Sequence, residues 1–599
     1  MAHNKNIKYT NRDFDSIKSA LVTHAQRYYP DRYKDFAEAS FGSMFFDSVA
    51  YVGDMLSFYL DYQINESFLT TATDFNNVKR LAESIGYKKR GNPSSFGIVS
   101  FFIITPANSN GLGVDNIYLP ILKKNSTFSG GGSGFILLND VDFAGFNTET
   151  VVARVDTTTG LPTHYAVKAF GKVMSGNFKS MNISIGDFER YKKITMFDTK
   201  VTKILSVTDS EGHIYHEVDN LAQSVIYSET TNSNFRNDGV PSILKPVVAP
   251  RRFTLSEQGE DSVLQFGHGS DDEEVVENIL DPTSVLVQRH GFSYNTNKNF
   301  DPFKLINNDS LGISPANTTL TITYIENNSG NSNLAPNQLN QRGDLDFFFD
   351  TPSSFPSNYL QNVQSVEGSL ELTNESQIIG STFSVDSSEE LRIRALSHYS
   401  SQNRAVTKID YESLVYLMDP SFGSVSRVSV INDPSSSNRR LSMYVTSQDQ
   451  SGNLTESNGT IKNNIKAWLV NYKMLNDIID IFDARIVNFG FNFKISVNPG
   501  FDPEQVLIEC KRDLATMFQN KLYIGEPLYL AKIYNAINKV EGVSDCLSVV
   551  PNIKVGSNYA NAVLSIDDII SPDGTYLKVP KNVIMELKYP SLDMIGSTV

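Results

Sequence analysis

From Phe41 to Tyr62 the chain reads FGSMFFDSVAYVGDMLSFYLDY, and at 100° per residue its apolar positions fill two adjoining helical stripes. Phe41, Phe45, Val49, Val52, Leu56 and Leu60 make one stripe; Met44, Tyr51, Met55, Phe58 and Tyr62 make the other. Ser43, Asp47, Asp54, Ser57 and Asp61 share the remaining arc. A surface helix covers a core with a stripe somewhat wider than ~100°, and this apolar arc is roughly twice that. Such a helix requires neighbours on two sides, supplied by its own chain or by others.

The flanking pattern is helical from Asp13 to about Arg90, with a break at Pro30 and Ser40 placed to cap the apolar helix. Thr73 to Gly86 carries Phe75, Val78, Leu81, Ala82 and Ile85 at helical spacing and stops at a glycine suited to a left-handed C-terminal position. From Ser94 to Asn340 the chain is rich in β-branched and aromatic residues between turn clusters, and Gly97–Thr105, Thr202–Val207 and Leu320–Ile325 are predicted strands. Beyond a Ser/Pro-rich segment at Thr351–Ser357 the pattern becomes mixed. Ser387 and Glu390 form a capping-box pair, Thr407 opens a helix to about Met418, and Val425–Ile431 and Leu441–Thr446 are predicted strands. A helix around Ile461, Ile465, Trp468, Leu469 and Tyr472 uses the only tryptophan as a core anchor.

In Val487–Val497 every odd position is apolar and every even one is not, which predicts a strand with one buried and one wet face. Asp502-Pro503 then starts a helix, and Pro527 precedes another that ends at Gly542; a strand over Val543–Val550 returns beside the first. The expected fold is multidomain α+β. A helical segment (1–92) is followed by a β-rich domain (93–285), a small β domain and linker (286–380), an α/β domain (381–476), and a C-terminal α/β domain with a terminal β-hairpin (477–599). Hinges are expected near 92–96, 341–357 and 376–386.

Composition narrows the class. At 599 residues the chain can bury several cores, and 40% hydrophobic content is ordinary for a globular protein. A net charge of −15 argues against a protein that grips nucleic acid through its phosphates. Cys510 and Cys546 are the only cysteines, so no disulfide framework is expected and assembly inside a cell is the simplest reading. The first residues contain no apolar signal region, and no run approaches the ~20 apolar residues of a membrane helix, so no membrane association is expected.

Candidate chemistry is sparse. Ser129-Gly130-Gly131-Gly132-Ser133-Gly134 lacks the Lys-Ser/Thr of a phosphate loop and reads as a loop tip. Asp271-Asp272-Glu273-Glu274 lacks EF-hand spacing and reads as a solvated turn. His213, His216 and Glu217 form HxxHE, not the HExxH of a zincin helix, and their flanks predict a strand pair. No catalytic residue, metal site or cofactor is assigned.

Four blocks carry a family resemblance: FGSMFFDSVAYVGDMLSFYLDYQINESFLTTATDFNNVKRLAESIGYKKR, LGISPANTTLTITY at 311–324, SVDSSEELRIRALSHYSSQNRAVTKIDYESLV at 384–415, and VPKNVIMELKYPSLDMIG at 579–596. In this order they resemble the baseplate J-like family of contractile-tailed bacteriophages, most closely its wedge-protein-6 branch. Phe266-Gly267-His268-Gly269 departs from the FGDG-like turn of many relatives, and nothing functional is carried over there.

The resemblance implies a structural, non-enzymatic wedge subunit of the virion's tail baseplate, assembled in the host bacterial cytoplasm. It implies partners: other copies of the chain, a second and different wedge protein in an inter-chain helical bundle, and sheath-initiator and central hub proteins. It also implies a ring around the hub that rearranges when the sheath contracts. For bundle packing the candidate residues are Tyr28, Phe41, Phe45, Val52, Leu56 and Phe58. A carbohydrate-active or glycan-binding tail protein built on the β-rich middle is the alternative, and a metal hydrolase resting on HxxHE is a third.

Overall fold

The computed structural model describes residues 13–29, 40–87, 92–108, 113–145, 147–197, 201–231, 242–258, 261–270, 311–327, 331–349, 356, 358–381, 387–432 and 440–598. The chain forms two compact units, one of residues 1–88 with 385–403, the other of residues 89–384 with 404–599.

Among the described residues, four helices build the first unit: α1 (Phe14–Tyr28), α2 (Phe41–Glu66), α3 (Phe75–Ser84) and α4 (Ser388–Ser401). Ser40 caps α2, its hydroxyl accepting from the Ser43 amide at 3.1 Å, and the helix runs four residues past Tyr62. Asp74 caps α3, and Gly86 takes the left-handed φ of 96° expected of it. The break expected at Pro30 lies outside the described residues. Ser387 caps α4 as expected, its Oγ accepting from the Glu390 amide at 3.1 Å. A complete capping box stands at Thr407 and Asp410, which caps α5 (Lys408–Tyr416).

The 381–476 boundary is therefore corrected. α4 belongs with the N-terminal helices, far away in sequence, because its buried face of Leu391, Arg394, Ala395, His398 and Ser401 finds its counterpart in Val78 and Ala82 of α3. Gln402 and Asn403, at φ 50° and 59°, turn the chain out of it through two successive left-handed residues.

Two seven-stranded sheets dominate the front of the second unit. In the first, Phe96–Pro106 lies between Pro162–Ser175 and Glu371–Thr373, and Thr127–Gly130 lies between Ser133–Leu137 and Leu339–Arg342. In the second, Thr319–Glu326 lies between Asn177–Ser184 and Val201–Thr208. The expected small β domain at 286–380 is thus not separate: its described strands join sheets of the region before it, Phe347–Phe348 in a three-stranded sheet with Ile121–Leu122 and the others in the two large ones. Alternation identifies a strand but not its partner, so a strand-rich segment looks independent in sequence while its hydrogen bonds go elsewhere. The hinge expected at 92–96 is likewise anchored, since Ser95 is fully buried and its hydroxyl bonds Ser332 Oγ at 2.8 Å and Asn333 Oδ1 at 2.7 Å.

Behind these sheets, α5 and α6 (Gly459–Leu469) pack on a sheet containing Arg427–Asn432 and Arg440–Gln448. Trp468 is only half-buried at the rim of this core, donating from its indole N–H to Leu414 O at 2.8 Å.

The C-terminal sheet is centred on Arg485–Val497, antiparallel to Val543–Ile553, and α7 (Pro503–Met517) and α8 (Leu530–Asn538) share its core with Phe489, Phe491, Phe493 and Ile495. Two expectations are corrected. The even-numbered face is wet only at Asn492 and Lys494; Asn488 and Gly490 are buried, Asn488 because it donates to Glu586 Oε2 at 3.1 Å and accepts from the Ala560 amide at 2.7 Å. Among the described residues no terminal hairpin forms. Val583–Glu586 and Met594–Thr598 both run parallel to the central strand, at its two ends, whereas a hairpin requires antiparallel neighbours.

Candidate interaction face of the N-terminal helical unit

α1 covers the small-residue side of α2. Ser43 and Ala50 are buried there, Ile17 Cδ1 lies 3.1 Å from where a Gly53 Cβ would stand, and Lys18 Nζ pairs with Asp47 Oδ1 at 2.7 Å. One of the two sides the sequence asked for is thus supplied by the chain itself.

The other side is bare. All six candidate bundle residues are exposed, from 55% at Val52 to 81% at Phe41, and Met44, Tyr51, Met55, Tyr59 and Leu60 are exposed with them. Over its 26 residues α2 buries only Ser43, Ala50 and Glu66. Monomeric proteins rarely leave contiguous apolar surface of this extent; patches of this kind mark interaction sites.

The C-terminal end of α2 is tied down by hydrogen bonds. Glu66, the last residue of α2, accepts from the Thr73 amide at 2.8 Å, the Thr73 hydroxyl at 2.6 Å and Asn77 Nδ2 at 3.0 Å. Burial alone raises its pKa, but these hydrogen bonds to the charged form outweigh burial and bring it down to about 2. Arg392 of α4 fastens the turn between α2 and α3, donating from Nε to Leu69 O and from Nη2 to Ala72 O, each at 2.6 Å, while Nη1 pairs with Glu389 at 2.7 Å. His398 stands edge-on to Tyr87 at 5.9 Å; burial lowers its pKa, and a hydrogen bond with the Gly86 backbone opposes this without reversing it. Neither Glu66 nor Arg392 was singled out in the sequence. A carboxylate ending an apolar helix seven residues before a Thr-Asp cap was the available signal for Glu66, and Arg392 had none.

The chemical candidates resolve structurally. Gly131 and Gly132, at φ 57° and 84°, form a two-residue turn between paired strands, the expected loop tip. His213 and His216 flank and enter the short strand Ile214–Glu217, with His213 Nδ1 bonding Asp209 Oδ2 at 3.0 Å across the turn. At Phe266-Gly267-His268-Gly269 a Cβ on Gly267 would stand 1.9 Å from Gly312 O, so close backbone packing explains that glycine, and His268 stacks on Tyr191. The acidic run Asp271–Glu274 lies outside the described residues. Among the described residues no group of three or more His, Cys, Asp or Glu is placed to hold a metal ion. Cys510 and Cys546 are both free and buried, and burial pushes each thiol up to about 11. Among the described residues no helix is long and apolar enough to cross a membrane.

Residues 13–84, which hold α1 to α3 and therefore the whole exposed face, match the family of the bacteriophage baseplate protein, N-terminal domain. That match is to the same kind of protein, a phage baseplate protein, to which the resemblance in the sequence pointed. No curated protein matches the chain. Among solved structures, the anti-feeding prophage (AFP) baseplate aligns over 95% of this chain and 90% of its own at 10% identity, with a TM-score of 0.26. The type VI secretion system TssK-TssF-TssG baseplate subcomplex aligns over 74% of this chain and 96% of its own at 9% identity, with a TM-score of 0.23. Likenesses of that size support no functional argument.

Proposed function

We propose that the protein is a wedge subunit of a contractile-tail baseplate, whose exposed α2 face packs into a helical bundle with other chains. The observation that carries this reading is the bare apolar side of α2, with Phe41, Phe45, Val52, Leu56 and Phe58 exposed on it and Tyr28 exposed at the end of α1, inside the segment that matches a baseplate domain. Its work would be mechanical rather than catalytic: burying surface against like and unlike chains, closing a ring around the hub, and letting that ring rearrange as the sheath contracts. Partners in this reading are further copies, a different wedge protein, and sheath-initiator and hub proteins, in the virion's tail after assembly in the host cytoplasm. The C-terminal sheet supports contacts between copies, since Leu547, Val550 and Ile595 stand exposed on its strands.

Reconstitution of baseplates from the full set of structural proteins tests the proposal. Leu56→Glu or Phe45→Glu is expected to abolish incorporation of this chain while leaving its own circular dichroism and melting unchanged. Incorporation at the wild-type level would overturn it.

A further inference from the structure

Arg485–Val497 runs parallel to Val583–Glu586, and the start of this strand pair lines an open cleft of about 730 Å³. The loop 557–562 lines it too, and three hydrogen bonds, each of 2.7 Å, hold that loop in place. Ala560 donates its amide to Asn488 Oδ1, Tyr559 donates its hydroxyl to Asp593 Oδ1, and Lys588 Nζ donates to Asn558 O. Asn488, Glu586 and Asp593 are buried and committed to this support, which gives a purpose to polar residues buried on the even-numbered side of the strand. Four other side chains lining the cleft are uncommitted. Glu456, Arg485, Asn558 and Asn561 are exposed, and their side chains make no hydrogen bond or ion pair among the described residues. A fixed frame thus carries a carboxylate, a guanidinium and two amides around one space.

The chemistry of that set selects its ligand. Arg485 only donates, Glu456 only accepts, and each asparagine amide does both. An anion would meet Arg485 but be opposed by Glu456, and a cation the reverse. An apolar ligand would strip water from all four groups and return no hydrogen bond. A hydroxyl donates and accepts, so a neutral polyol satisfies the whole set, while Ala484, Ile486 and Ala562 in the same lining offer contact to the C–H faces of a sugar ring. The volume lies within the range of small-molecule sites and exceeds what a single ring fills. We propose that this cleft binds a short neutral oligosaccharide, held by Arg485, Glu456, Asn558 and Asn561. The site is remote in sequence from the α2 face and does not depend on that face packing into a bundle.

The test titrates the full chain with maltotriose, chitotriose and trialanine and reads binding by saturation-transfer NMR. Trialanine is the rival ligand, a zwitterion whose two ends could join Arg485 and Glu456. At least one trisaccharide is expected to bind saturably and trialanine not at all. Arg485→Gln and Asn561→Ala, both at exposed positions where the melting temperature should not move, are each expected to weaken the trisaccharide by about tenfold. Lys539→Gln, exposed and outside the cleft, is expected to leave it unchanged. No saturable binding of either trisaccharide, binding of trialanine in their place, or full affinity in both Arg485→Gln and Asn561→Ala would each overturn the proposal. Baseplate incorporation of Arg485→Gln at the wild-type level, beside its lost trisaccharide binding, would separate this site from the packing role of α2.

Discussion

Arg392 donates from Nη2 to the carbonyl oxygen of Ala72 at 2.6 Å, joining residues 320 positions apart. With the companion bond to Leu69 O it satisfies two carbonyls of the turn that follows α2, groups that a chain lacking α4 would leave without this donor. The N-terminal helical unit is thus completed by a segment made much later in synthesis, and the rigidity of its interaction face depends on that segment. Arg392→Ala is expected to cost about 3–6 kcal/mol, the range for losing two hydrogen bonds to a charged donor. Arg392→Lys is expected to recover only part, because an ammonium cannot reproduce the planar fork. Hydrogen exchange over α2 and α3 measures both, and undiminished protection in Arg392→Ala would contradict that dependence.

The α1–α2 seam is packed to small residues, so enlarging it carries a cost. Ala50 is fully buried and Gly53 has Ile17 close by. Ala50→Leu is expected to destabilise the isolated chain by about 1–3 kcal/mol. Leu56→Ala, on the bare side, is expected to stay within about 0.5 kcal/mol. Chemical denaturation of the two variants side by side reads the asymmetry, which disappears if α2 is covered on both sides within its own chain.

Acid is expected to loosen the helical unit in two stages. His398 has a folded pKa below its usual 6.5, so its stabilising contribution is full above 6.5 and declines as pH falls beneath that value. Glu66 has a folded pKa of about 2 against a usual 4.5, so its contribution is full above 4.5 and is lost as pH falls toward 2. Thermal melts from pH 8 to pH 3 should show both stages. Glu66→Gln should flatten the lower one and His398→Gln the upper one, and an unchanged profile in both variants would rule out these groups as the cause.

In the C-terminal domain Glu586 is almost fully buried and accepts from Lys521 Nζ at 2.7 Å, the Leu454 amide at 2.8 Å and Asn488 Nδ2 at 3.1 Å. Lys521→Met leaves a buried carboxylate without its cation and is expected to cost about 3–5 kcal/mol. Pairing it with Glu586→Gln should restore a large part of that loss, because the uncompensated charge is then gone. A double variant no more stable than Lys521→Met alone would show that the charge is not what matters.

Much of the local structure was legible. Ser40, Asp502-Pro503 and Gly86 punctuate helices where their backbone preferences place them, since capping and positive φ depend on a few adjacent residues, whereas Gly542 stands in the turn four residues beyond the helix it was expected to end. Strands such as Phe96–Pro106 and Thr319–Glu326 fell within a residue or two of their predicted limits. Burial on the even side of the Arg485–Val497 strand was not legible, because Asn488 is polar and its burial depends on Glu586 and Ala560 arriving beside it.

By itself the sequence determined that α2 carries more apolar surface than one neighbour can cover, and that its 26 residues include no Lys, Arg or His. Both are properties of composition and a fixed 3.6-residue period, independent of the remaining chain. Tertiary structure alone decided which side of α2 its own chain covers, that α4 returns to lock the unit through Arg392, and that the strands beyond residue 310 complete sheets begun before residue 270. These depend on pairing between segments hundreds of residues apart, where hydrogen bonds and packing choose among partners that local periodicity leaves equivalent.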